Sequence, residues 1–91
     1  MSLHDALSAK PLEIAFRGEI VRLRRPTVGD LVAMIDAESR GVNMAAMYVA
    51  AHVIDEQGGR VFTYETALNL SAPAVIALSK EIEKLYGEGL D

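Results

Sequence analysis

Residues 12–31 read LEIAFRGEIVRLRRPTVGDL, and this stretch decides the fold. Leu12, Ile14 and Phe16 alternate with Glu13, Ala15 and Arg17, the two-residue period of a half-buried strand. Arg17-Gly18-Glu19 supplies a tight turn, in which Gly18 accepts a positive φ without steric cost. A second strand over 20–24 follows, with Val21 and Leu23 on the apolar face and Arg22 and Arg24 on the other. Pro26 has no ladder donor and forces Arg25 extended, so the sheet stops there. Thr27 then opens a helix, its hydroxyl accepting the N–H of Asp30, whose charge suits the positive first turn. Val28, Leu31, Val32 and Ile35 recur at i, i+3, i+4 and i+7, a stripe expected to face the core. Nothing in the stretch is placed to carry out chemistry.

Outward from this segment the chain continues as helices. Glu38, Ser39 and Arg40 are polar, Gly41 ends the first helix and Asn43 caps the next. That second helix, over 44–54, is apolar almost all round. Met44, Met47, Tyr48 and Ala51 line one side, and Ala45, Ala46, Val49, Ala50 and Val53 the other. A helix without a polar face has to be covered on both sides. Its own neighbours or another chain can do the covering, and methionine, which repacks against varied surfaces, suits the second. Residues 55–60, DEQGGR, form a turn, with a short extended piece at Val61-Phe62. A brief helix is expected over 64–69. A last one is capped by Ser71, with Pro73 in its first turn, Val75, Leu78, Ile82 and Leu85 as its buried stripe, and Gly87 at its end. Upstream, Ser2 and Asp5 have capping-box spacing, which predicts a helical turn over 3–9. The expected fold is a single α+β domain over 1–91: an N-terminal segment (1–10), a β-hairpin (11–25) packed against a small bundle of three to four α-helices (27–87), and a frayed tail (88–91).

The 91 residues support one core. Size scaling gives folding about 64% of the extended chain's surface to bury. The apolar fraction is 51%, but much of it is Ala, and the chain has no Trp and only five Phe or Tyr. The core is therefore aliphatic and thin, and a partner is expected to finish covering the apolar surface. The net charge of −4 speaks against general affinity for nucleic acid. Residues 1–54 balance six bases against six acids, while residues 55–91 carry three bases and seven acids. With Arg17, Arg22, Arg24 and Arg25 in the hairpin, a basic sheet end opposes an acidic helical end. There is no cysteine, which removes disulfides, thiolate metal sites and thiol nucleophiles and accords with a reducing cytoplasm. Residues 1–9 lack the pattern of a signal peptide. The uncharged run 41–54 has 14 positions, a length no other run exceeds and short of the roughly 18 that a membrane span needs.

The residues that commonly carry chemistry do not assemble a site. His52 with Asp55 or Glu56 has the spacing of two ligands on one helix face, but a metal needs a third and usually a fourth. Ser39, Ser71 and Ser79 lie on no strained nucleophile turn, and no oxyanion loop is near His52. Gly58-Gly59-Arg60 lacks the lysine and the helix start of a phosphate loop. Glu81 and Lys84 read as a surface pair. Arg22 and Arg24 project together, with no aromatic side chains interleaved to stack bases, so plain solvent exposure or an acidic protein segment suits them better than a nucleic acid. The expectation is a non-enzyme without cofactor or metal. Its candidate partner-binding residues are Met44, Met47, Tyr48, Val49 and Ala51 on the apolar helix, with Arg22 and Arg24 on the hairpin.

A hairpin that leads through LRRPTVGDL into a helix resembles the tail assembly chaperones of long-tailed bacteriophages and prophages, particularly the Mu-type family. The residues that carry the resemblance are Ile20 and residues 22–31. DEQGGRVFT (55–63) and NLSAPAVIAL (69–78) look like the family's later turn and closing helix. The resemblance implies a non-enzymatic chaperone made in the cytoplasm of the bacterial host and absent from the mature virion. It implies two partners, the tape measure protein, whose apolar helices it shields, and the tail tube protein. Some such chaperones are extended by frameshifting. Two other readings stay open. One is a helix-turn-helix regulator using 27–39 and 44–54, which offers no basic groove-facing residues; the other is a homo-oligomeric adaptor.

Overall fold

The computed structural model describes Ser2, Leu3, Leu7 and residues 10–87. Of the helical turn expected over 3–9, Leu3 and Leu7 are described and are helical; its other residues and the tail over 88–91 lie outside the described residues. Strands β1 (Leu12–Phe16) and β2 (Glu19–Leu23) form the N-terminal antiparallel hairpin. Phe16 faces Glu19 and Leu12 faces Leu23. The turn is therefore two residues long. Arg17 and Gly18 adopt φ of 50° and 83°, which is the primed turn that matches strand twist. Arginine at the first of these positions is unusual, because L-residues other than Asn and Asp resist it.

Four helices follow: α1 (Val28–Ser39), α2 (Met44–His52), α3 (Tyr64–Leu68) and α4 (Ala72–Gly87). The fold is α+β. Helix α1 starts with a reciprocal capping box. The Asp30 N–H donates to Thr27 Oγ1 at 3.2 Å, and the Thr27 N–H donates to an Asp30 carboxylate oxygen at 2.8 Å. Asn43 caps α2 by accepting the Ala46 N–H at 3.0 Å.

The apolar helix is shorter than its composition indicates. It ends at His52, and Val53–Ile54 become a third strand, β3. β3 pairs with β2, Leu23 facing Val53 and Arg22 facing Ile54, in a sheet ordered β1-β2-β3. The reason is local. The Arg24 N–H donates to the His52 carbonyl at 2.8 Å, which draws the chain against β2 just where two β-branched residues follow. In place of an extended Val61-Phe62, the chain returns through a bridge between Ile54 and Arg60. The turn between them is held by the Asp55 carboxylate, which accepts the N–H groups of Gln57 and Gly59.

The core lies where α2 meets α4, α3 and the inner face of the sheet. Leu23, Val49 and Ile82 are its largest fully buried apolar residues, and Ala46, Ala50 and Ala67 let the helices approach closely. Val75, Leu78 and Ile82 make the buried stripe of α4, as their spacing requires. No helix among the described residues is long and apolar enough to cross a membrane.

Candidate partner-binding surface

The residues of RRPTVGD build a polar clasp at the junction of the sheet with three helices. Arg24 reaches across with a forked grip on Asp30, at 2.6 and 2.9 Å. It also donates from Nε and from the same guanidinium nitrogen to the Ala51 carbonyl, at 3.3 and 3.0 Å. One side chain thus joins the end of β2, the first turn of α1 and the last turn of α2. Burial alone would raise the Asp30 carboxyl pKa. The hydrogen bonds from Arg24 and Thr27 outweigh it and hold the group at about 2. The Asp30 hydrogen bond in turn raises the Arg24 pKa against its own desolvation.

His52 completes the junction from beneath and is fully buried. Nδ1 lies 2.6 Å from the Arg24 carbonyl oxygen and Nε2 lies 2.5 Å from the Tyr86 hydroxyl. A carbonyl only accepts, so Nδ1 carries the proton and Nε2 accepts from the Tyr86 O–H. Burial pushes the imidazole pKa down from 6.5, opposed by its bond to the Arg24 carbonyl. Burial also pushes the Tyr86 hydroxyl up, and the nearby Asp30 charge adds to that. One ring nitrogen therefore ties the end of α2 to the end of β2, and the other ties it to α4. The phenol ring of Tyr86 also meets Tyr48 edge-on at 5.3 Å.

The clasp has a consequence for α1 that the apolar period did not foretell. Asp30, Met34 and Ala37 stand at i, i+4 and i+7, so one helix face carries all three. Arg24 fixes Asp30 inward, and Met34 and Ala37 are buried beside it. The stripe expected in the core is thereby turned to solvent: Val28 is 81% exposed, Leu31 49%, Val32 62% and Ile35 61%. Val28 and Leu31 also border a shallow groove shared with Pro26, Leu85 and Tyr86, which carries the apolar surface onto the end of α4. The result is a row of aliphatic side chains on an outward helix, with no catalytic or ligating group in it. No protein-family model, curated protein or solved structure matches the chain.

The candidate residues chosen from sequence have other places. Val49 and Ala51 are 1% and 7% exposed, so their side chains belong to the core and offer nothing to a second chain. Met44, Met47 and Tyr48 are half-buried. Arg24 is spent on the clasp. Arg22 lies on the outer face of the sheet opposite Glu13, and its buried Nε has no hydrogen-bond partner. The structure thus brings none of the helix candidates together with the two arginines as one surface. Helix α2 packs against α3, α4 and α1, and its half-buried side, Met44, Met47 and Tyr48, offers no basic side chain to a DNA groove. Val28, Leu31, Val32 and Ile35 were visible as a stripe, but its direction was not. The signal that fixes it was present in the same segment, as an arginine before the proline and an aspartate at the third helical position.

A second apolar hollow opens between the hairpin and α4, lined chiefly by Phe16, Val21, Val53, Phe62, Val75 and Leu78. It borders the turn end of the hairpin, where Arg17 sits over the Phe16 ring with its guanidinium carbon 5.3 Å from the centroid.

Proposed function

We propose that this chain is a non-enzymatic assembly chaperone of the phage tail type, which shields an apolar helix of a tape measure protein along α1. The reading is supported by the sequence resemblance over residues 22–31 and, above all, by one observation: four aliphatic side chains at helical spacing stand exposed on α1. Fully burying a Val, Leu or Ile is worth roughly 1.5–3 kcal/mol. A row of four is therefore a sizeable reservoir for an amphipathic helix laid alongside. The proposed setting is the cytoplasm of the bacterial host during tail assembly, with the tail tube protein as a further partner and no place in the mature virion.

The test is titration of the full chain with fragments of a phage tape measure protein, alongside the double variant Val32→Glu/Ile35→Glu. Both positions are exposed, so the variant is expected to keep the circular dichroism of the parent and to lose binding. Unchanged affinity in a folded double variant places the client elsewhere. No affinity of the parent for any tape measure fragment removes the reading.

A further inference from the structure

Among the described residues the hairpin leaves the β1 edge of the sheet open, and its register says what fits there. β1 is the outermost strand of the order β1-β2-β3. Phe16 and Glu19 flank the two-residue turn and face each other, which makes them a hydrogen-bonded pair. Alternation then directs the N–H and C=O of Leu12, Ile14 and Phe16 toward β2, and those of Glu13 and Ala15 away from it. Among the described residues nothing pairs with these outward groups. The strand itself has no proline, no lysine and an unbroken register, and Glu13 is its one charged residue. On its inner face Leu12, Ile14 and Phe16 are only half-buried, so the helices do not finish covering it.

We propose that a second copy of this chain occupies the edge, β1 antiparallel to β1 about a two-fold axis at Ile14, to give one continuous six-stranded sheet. Ile14 is the midpoint of β1, so centring there pairs all five strand residues with their counterparts, whereas centring on Ala15 would bring the turn residue Arg17 into the ladder. Centred on Ile14, the pairing sets Leu12 against Phe16 and Glu13 against Ala15, each twice by symmetry. Glu13 and Ala15 are the residues whose backbone groups face outward, so they become the hydrogen-bonded pairs. No carboxylate meets another. With the centre moved to Glu13, two carboxylates would oppose each other across the axis, which disfavours the slipped register. Because the axis is perpendicular to the sheet, both helical layers lie on one side of it. The half-covered Leu12, Ile14 and Phe16 of the two copies then form a single apolar row. The inference stands apart from the role given to α1.

Sedimentation velocity of the full chain over a concentration series tests it, with Ala15→Lys and Ala15→Glu as partners. Ala15 is exposed on the outer face, so neither change touches the core. The parent is expected to dimerise with rising concentration, while amide exchange at Glu13 and Ala15 slows. Ala15→Lys places an ammonium beside Glu13 twice and should lower the dimer Kd roughly threefold to thirtyfold, and Ala15→Glu should raise it by a similar factor. A chain that stays monomeric throughout overturns the proposal. So does a dimer indifferent to both variants, including one that Val32→Glu dissociates, since α1 would then be the contact.

Discussion

Helices α1 and α2 lie side by side and reverse the roles their compositions indicate. α2 is apolar nearly all round and looks like the surface for another chain, yet it is the central core helix. α1 is amphipathic and looks like a helix with its stripe packed inward, yet that stripe faces out. The difference teaches that a hydrophobic pattern marks a face without saying what the face meets. For α1 the rotation about its axis is set by a charged contact, Arg24 with Asp30, reinforced by small or flexible residues, Ala37 and Met34, on the same side. For α2 there is no such handle. Its alanines admit α3 and α4 close on the buried side, and His52 locks its end to β2 and α4.

The sharpest break of this comparison is one charge placed in each helix. Val49→Glu puts an unpaired carboxylate in the core and should cost about 4 kcal/mol or more, enough to abolish the cooperative urea transition. Val32→Glu, at a position of similar sequence hydrophobicity, should leave the transition within about 0.5 kcal/mol of the parent. Equal effects at the two sites would mean that the helices do not differ in this way.

Next in size is the clasp. Asp30→Ala removes the Arg24 partner and the carboxylate half of the capping box together, and should lower stability by about 2–4 kcal/mol in denaturant titration. Amide exchange should speed up most in α1. Uniform acceleration across the chain would show that Asp30 supports the whole core rather than the rotation of one helix.

Acid should act on the same junction in two stages. The folded Asp30 titrates at about 2 and the unfolded group at 3.8. The unfolded chain therefore takes up the proton first, and stabilisation of about 2 kcal/mol, complete above pH 4, is lost as pH falls toward 2. His52 shifts in the same sense. Its folded pKa lies below 6.5, so its contribution is present above that pH and declines as pH drops through the folded value. A pH series of urea midpoints should show both slopes, and Asp30→Asn should flatten the lower one.

The smallest effect belongs to the hairpin turn. Arg17 holds φ at 50°, a value that asparagine tolerates better. Arg17→Asn should raise stability by about 0.5 kcal/mol, less whatever the contact with the Phe16 ring contributes. A measurable loss of stability would show that the ring contact outweighs the backbone strain.

Much of the fold was legible in residues 12–31. The two-residue alternation, Gly18, Pro26 and the Thr27–Asp30 cap each act within a few residues of themselves, and the hairpin and the start of α1 follow from them. β3 was hidden because Val53-Ile54 continue an apolar helix without interruption. Only pairing with β2, about 30 residues earlier in the chain, makes them a strand. The burial of Val49 and Ala51 was missed for a related reason. Val49 and Ala51 were read as available because nothing local said that α3 and α4 would cover them.

Sequence alone determined the hairpin, where α1 begins, and that the core is aliphatic. Those properties rest on backbone sterics, capping and composition, which are short-range. Tertiary structure alone decided which apolar face is spent on folding and which is left for others. That choice depends on a guanidinium meeting a carboxylate and a carbonyl from a distant helix, a geometry that exists only once the sheet and helices are packed.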